Sequence, residues 1–152
     1  MIAMQAENVS KQNTRNFLRP VRSSHNPKPK ALVMDDDATL LLLTLLMLES
    51  SGYEAHWART GDEAIEKYRN ARETGASFDV IILDLNNLDG KGGKETIKSL
   101  LQMDGNVKAV ITSGDSSDPA MTDFKKYGFC GALRKPFSIT ELNRILTPLF
   151  ED

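Results

Sequence analysis

Asp35, Asp36, Asp84, Ser113 and Lys135 are the residues whose types and positions could do chemistry together. Each stands at the end of a short apolar run. Asp35 and Asp36 follow Ala31–Met34, Asp84 follows Val80–Leu83, Ser113 follows Val107–Thr112 and Lys135 follows Gly131–Arg134. If those runs are strands of one parallel sheet, all five side chains reach its C-terminal edge, where ligands of open α/β sheets bind. Three converging carboxylates repel one another unless a cation sits between them. A hard divalent ion with oxygen ligands answers that need, and Mg2+ typically takes one or two carboxylates, several waters and a phosphoryl group. With the ion bound, a carboxylate can attack phosphorus and become an aspartyl phosphate. The phosphoryl charge then calls for donors, and Lys135 offers a cation and Ser113 a hydroxyl.

The elements that would position these residues are legible in the hydrophobic pattern. Val80–Leu83 is four consecutive apolar residues with no polar alternation, the signature of a central strand covered on both faces. An aspartate closing such a run is, taken alone, an ordinary turn former. The rest of the chain alternates strands and helices. Ala31–Met34 predicts a strand, and Thr39–Ser51 a helix ended by Gly52. Tyr53–Ala58 predicts a second strand. Thr60 and Glu63 form a capping box for a helix reaching Glu73. After the Asp84 strand and a loop through Asp89–Gly93, Lys94–Gln102 predicts a helix and Val107–Thr112 a strand. Pro119–Tyr127 predicts a proline-opened helix, Gly131–Arg134 a fifth strand, and Ser138 and Glu141 cap a last helix reaching Phe150. This is (βα)5, a doubly wound parallel five-stranded sheet with right-handed crossovers and helices on both faces.

Residues 1–29 read as a basic, flexible arm or linker, and residues 30–152 as one folded domain. The first thirty residues hold six Lys/Arg against one acidic residue, Glu7, so they carry +5 while residues 31–152 sum to −7. A short helix within Glu7–Leu18 is the most that the arm could form, since Pro20, Pro27 and Pro29 break any regular element beyond it. With one aromatic residue, Phe17, the arm lacks what a nucleic-acid surface needs, and the net charge of −2 points the same way. A single cysteine, Cys130, excludes a disulfide within the chain and a Cys-cluster zinc site; it is expected to be a small buried residue. Two histidines, His25 and His56, leave little for zinc or Ser/His catalysis. No apolar run approaches the roughly 18 residues that span a bilayer. Met1–Arg22 lacks an apolar signal core, so a cytoplasmic protein without membrane contact is expected.

The ordered set of motifs resembles a response-regulator receiver domain of two-component systems. The residues that carry it are Leu32–Asp37, Asp84 closing the third strand, Thr112-Ser113-Gly114 after the fourth, and Lys135-Pro136-Phe137 after the fifth. Asp84-Leu85 followed by Gly92-Gly93-Lys94-Glu95 is most similar to receivers of hybrid histidine kinases. The resemblance implies the flavodoxin-like strand order 2-1-3-4-5. It implies that Asp84 is the phosphoacceptor, receiving a phosphoryl group from a histidine kinase or histidine phosphotransfer domain. It also implies a Mg2+ (or Mn2+) site made by Asp35, Asp36, Asp84 and the backbone carbonyl of Asn86. Ser113 and Lys135 would bind the phosphoryl oxygens, and a cis peptide bond would precede Pro136. The role is that of a signalling phosphoacceptor, with self-phosphorylation and self-dephosphorylation as its only catalysis. Its output would be altered partner binding, self-association or onward transfer.

This chain also departs from the family pattern. Leu88 stands where many receivers carry proline, and Ala132 where they carry an aromatic switch residue. Asp115, with Asn86, stands where the family tunes dephosphorylation. The first helix has more leucine than one buried face can use: Leu40, Leu43, Met47 and Leu48 fit a single stripe. That leaves Leu41, Leu42, Leu45 and Leu46 either covered by the last helix, through Ile145, Leu149 and Phe150, or exposed as a docking patch. Two other functions compete. Asp35-Asp36-Asp37-Ala38-Thr39 also fits the signature of haloacid-dehalogenase-like phosphatases, with Asp35 as nucleophile, but that leaves Asp84 without a role. A pseudo-receiver that binds partners without phosphate would not need the complete acidic set.

Overall fold

Five parallel strands carry the alternation through in the order 2-1-3-4-5. The computed structural model describes residues 27–151, so nearly all of the arm, with its candidate helix at Glu7–Leu18, lies outside the described residues. The elements are β1 (Lys30–Met34), α1 (Ala38–Ser50), β2 (Glu54–Ala58), α2 (Gly61–Glu73), β3 (Val80–Asp84), α3 (Gly93–Met103), β4 (Ala109–Ser113), α4 (Pro119–Thr122), β5 (Gly131–Arg134) and α5 (Ile139–Leu146). β3 is buried at every position, as its unbroken apolar run requires. Its alternate side chains feed two cores. Ile81 and Leu83 join Leu32 and Met34 against α2, α3 and α4. Val80 and Ile82 join Ala31 and Val33 against α1 and α5.

Both capping hydroxyls act as their spacing predicts, with Thr60 Oγ1 accepting from Glu63 N–H at 3.2 Å and Ser138 Oγ from Glu141 N–H at 3.1 Å. The return bond of the first box differs, because Glu63 reaches back to Arg59 N–H rather than to Thr60. Two predicted helices are shorter than expected. Pro119–Tyr127 divides at Asp123 into α4 and a 3-10 turn, Phe124–Tyr127, closed by Gly128 at φ 95°. The last helix stops at Leu146, and Thr147–Phe150 is a 3-10 turn, because Pro148 has no N–H to continue the ladder.

The α1 stripe requires a correction. The buried residues are Leu41, Thr44 and Leu48, not a stripe through Leu40, Leu43 and Met47. With leucine at almost every position, the sequence pattern could not set the helix's rotation; packing did. Leu42, Leu43 and Leu46 are left 57%, 48% and 52% exposed, so α5 does not cover them. Cys130 is exposed as well, contrary to its expected burial. It is the residue before β5, exposed between buried Phe129 and Gly131.

Candidate functional site

The β1 end sorts the Asp35–Asp37 triplet into separate tasks. Asp37 is the N-cap of α1, its Oδ1 accepting from Thr39 and Leu40 N–H at 3.0 and 3.1 Å. Asp35 is buried, and its N–H bonds Ala58 O, which extends the β1–β2 ladder by one residue. Its Oδ1 accepts from Asp37 N–H at 2.9 Å, leaving Oδ2 to face the site. Asp36 is half-buried, and its Oδ2 accepts from Leu88 N–H at 2.8 Å.

Asp84 ends β3 in register with Thr112, and is itself buried. Two glycines hold the following loop against it. A Cβ on Gly92 would stand 2.3 Å from Leu85 O, and one on Gly93 would stand 2.5 Å from Ile111 Cδ1 and 3.0 Å from Asp84 O. Only residues without a side chain permit that approach. Carboxylate oxygens of Asp35, Asp36 and Asp84 lie within 4.8 Å of one another. Lys135 Nζ donates to Asp35 Oδ2 at 2.6 Å and to Asp84 Oδ1 at 3.2 Å. The peptide bond between Lys135 and Pro136 is cis.

Burial drives the Asp84 carboxyl up to about 6. The Lys135 ammonium opposes that shift, and the negative charges of Asp35 and Asp36 add to it. Burial also works against the Lys135 charge, but its hydrogen bonds and the charges of Asp35 and Asp84 outweigh this, so its affinity for the proton rises. A carboxylate cluster under this strain fits a hard divalent cation: three oxygen donors converge, and the Lys135 ammonium is shared between two of them.

The remaining candidates are placed more loosely. Ser113 is buried at the end of β4, next to the register partner of Asp84, and its Oγ accepts from Asp115 N–H at 3.0 Å, leaving its own hydrogen to donate. Asp115 Oδ1 is taken up by Ser117 N–H and Oγ within its own loop. Asn86 is exposed two residues beyond Asp84. Ala132 packs half-buried at the edge of the α2–α4 core, in register with Ile111. Two residues the sequence pattern did not reveal also belong to the site's frame. Asn87 Nδ2 donates to Arg59 O at 2.6 Å, and an Arg59 guanidinium N–H donates to Asp36 O at 3.0 Å. Neither residue closes an apolar run, which is the signal that marks the other site residues in the sequence.

Residues 31–147 match the family model of the response regulator receiver domain. The chain belongs to that family, the phosphoacceptor modules of two-component signalling. It is 26% identical over 121 residues to the chemotaxis protein CheY of Thermotoga maritima, covering 76% of this chain and 96% of that one. It is 35% identical over 114 residues to the transcriptional regulatory protein PrrA of Mycobacterium leprae, covering 75% of this chain but 46% of that longer protein. Its fold is shared by the receiver domain of the sensor histidine kinase PA1611 from Pseudomonas aeruginosa PAO1, solved with a magnesium ion in the active-site cleft. There the TM-score is 0.70 at 20% identity, over 81% of this chain and 98% of that one. Membership removes the phosphatase reading. The geometry agrees, since among the described residues the carboxylate group around Asp35 contains Asp84, whereas Glu141 is exposed in the first turn of α5. No helix of the described residues is long and apolar enough to cross a membrane.

Proposed function

We propose that residues 30–152 act as a phosphoryl switch in which Asp84 accepts a phosphoryl group from a phosphohistidine. The observation that carries this reading is the meeting of three carboxylates and Lys135 at one sheet edge. An Asp84 carboxylate oxygen forms the new bond to phosphorus as the phosphorus–nitrogen bond breaks, and the departing imidazole keeps the nitrogen electron pair and takes up a proton. Asp35, Asp36, Asp84 and the backbone carbonyl of Asn86 would hold Mg2+, or Mn2+, which shares its preference for oxygen ligands. When bound, the ion neutralises charge on the transferring group. Lys135 lies within reach of an oxygen on Asp84 and would exchange its Asp84 contact for the phosphoryl group. Ser113 would donate its free hydrogen to another phosphoryl oxygen. The magnesium ion held by the receiver domain of the kinase PA1611 supports this assignment. The chain turns over no separate substrate beyond its own loading and hydrolysis.

The partner is a histidine kinase or histidine phosphotransfer domain, and the outer face of α1 is the surface to receive it. Leu42, Leu43 and Leu46 form an exposed apolar ridge with a groove on either side. One groove is lined by Leu42, Leu45 and Trp57, the other by Leu43, Met47 and Phe137 beside Lys135. A helical partner resting there has its histidine at the Asp84 end of the sheet. The test is labelling of Asp84→Asn and Asp35→Asn by a small phosphodonor with Mg2+. Loss of acid-labile phosphate in Asp84→Asn is expected, and a label that survives this substitution refutes the assignment. A Leu42→Glu, Leu46→Glu variant is expected to keep small-donor labelling and lose transfer from a kinase. A lower sedimenting mass in that variant would instead mark the ridge as a self-association surface.

A further inference from the structure

The segment after Asp84 does more than carry a carbonyl toward the metal site. Asn87 Nδ2 donates to Arg59 O at 2.6 Å and to Met34 Sδ at 3.3 Å, while its Oδ1 accepts from Asp89 N–H at 3.0 Å. An amide offers a donor for a carbonyl and, on a separate atom, an acceptor for an N–H, and these partners fix which end is which. Arg59 in turn donates to Asp36 O, and Leu88 N–H returns to Asp36 Oδ2. The bonds close a ring: Asp36 backbone, Arg59, Asn87, Leu88, Asp36 carboxylate. It grips Asp36 at both its main chain and its side chain. It joins the loop after β1 to the loop after β3 through β2, a strand that offers no acidic residue to the site. The ring is seated firmly, since Gly61 N–H bonds Lys91 O, and a Cβ at Gly61 would stand 2.7 Å from that same oxygen.

We propose that Asn87 and Arg59 are positioning residues that set the separation of the two acidic loops and thereby the affinity for the divalent ion. This rests on the metal-dependent reading of the site and deepens it. Neither side chain belongs to the proposed ligand set; both act through Asp36 and through the backbone that carries Asn86. Second-layer hydrogen bonds commonly hold metal ligands in place, and their loss weakens binding without removing a ligand. The bond from Asn87 is the stronger of the two, because the Arg59 guanidinium is exposed to competing water.

The experiment is a Mg2+ titration of the full chain monitored by backbone amide shifts, with Asn87→Ala, Arg59→Met and Asp36→Asn beside the natural sequence. Asn87→Ala is expected to weaken Mg2+ binding about fivefold to tenfold, and Arg59→Met about twofold to threefold. Small-donor labelling of both variants should return to the natural rate at saturating Mg2+, which a loss of catalytic chemistry or of folding would not allow. Unchanged Mg2+ affinity in Asn87→Ala overturns the proposal, as does a labelling defect that Mg2+ cannot restore. If Asn87→Ala fails to fold, Arg59→Met decides, and an unchanged affinity there overturns it. A natural chain that shows no Mg2+ response at Asp35, Asp36 or Asp84 refutes the site reading itself, a distinct result.

Discussion

The two halves of the sheet edge are built differently. Around β1, β2 and β3, carboxylates, backbone N–H groups, Asn87 and Arg59 are tied into one network, with glycines bringing the loops together. Around β4 and β5, Lys135 reaches across to that network, and the other positions are sparse. Ser113 holds the N–H of its own loop, Asp115 turns onto Ser117, and Ala132 offers a methyl group where the family pattern has a ring. The half to which we assign loading is over-determined, and the half that would report loading is not. A metal site demands fixed oxygen positions, whereas a reporting element must have two states of similar energy.

Acidity tests the loading half most severely. Asp84 holds its proton up to about pH 6, and a proton competes with the ion for the same oxygen. Mg2+ affinity should therefore fall steeply below about pH 6, approaching tenfold per pH unit, while remaining flat above pH 7. A titration at three pH values checks this. Because the carboxyl is harder to ionise in the folded chain than at its ordinary 3.8, the folded state binds the proton more tightly than the unfolded one. In metal-free buffer, stability should accordingly decline as pH rises from about 4 to about 6 and then level off. Asp84→Asn removes that cost and should stabilise the metal-free fold at pH 7 by on the order of 1–2 kcal/mol, allowing for solvent screening. Denaturant unfolding measures it, and a destabilised Asp84→Asn would mean that Lys135 needs this partner more than burial penalises it.

Gly93 lies where the halves meet, its missing Cβ facing both Asp84 O and Ile111. Gly93→Ala should cost about 1–3 kcal/mol and weaken Mg2+ binding together, since only the Ile111 contact can yield. Ser113→Ala should slow small-donor labelling about tenfold with Mg2+ affinity unchanged, which would separate the halves by experiment. The smallest effect belongs to Ala132→Phe. Stability is expected to change by less than about 1 kcal/mol, and labelling and Mg2+ affinity should not change, while any response of partner binding to phosphorylation should grow. A change in metal affinity from position 132 would show that the halves are coupled after all.

The sheet and the acidic cluster are legible in the sequence because each rests on a local rule, whereas the strand order comes from the family resemblance. Unbroken apolar runs mark strands buried on both faces, and the residues closing them mark one edge. The frame around the cluster is hidden for a physical reason. Asn87 and Arg59 act through bonds to backbone carbonyls of distant segments, and nothing in their own neighbourhood signals such a partner. The rotation of α1 is hidden by excess, since leucine at nearly every position satisfies any stripe. Cys130 departs from expectation because residue type is a poor guide to place: its neighbours Phe129 and Gly131 are buried, and its own position is not.

Lys135, bridging Asp35 and Asp84, offsets only part of the charge of the resting site. At neutral pH three carboxylates and one ammonium leave about two negative charges, the complement of one divalent ion. Filling the site brings it close to electroneutrality, and each phosphoryl group then adds back about one negative charge, because the roughly two charges of the acyl phosphate replace the one on the Asp84 carboxylate. What a partner meets at this edge is a step in surface potential that recurs with every loading and disappears with every hydrolysis.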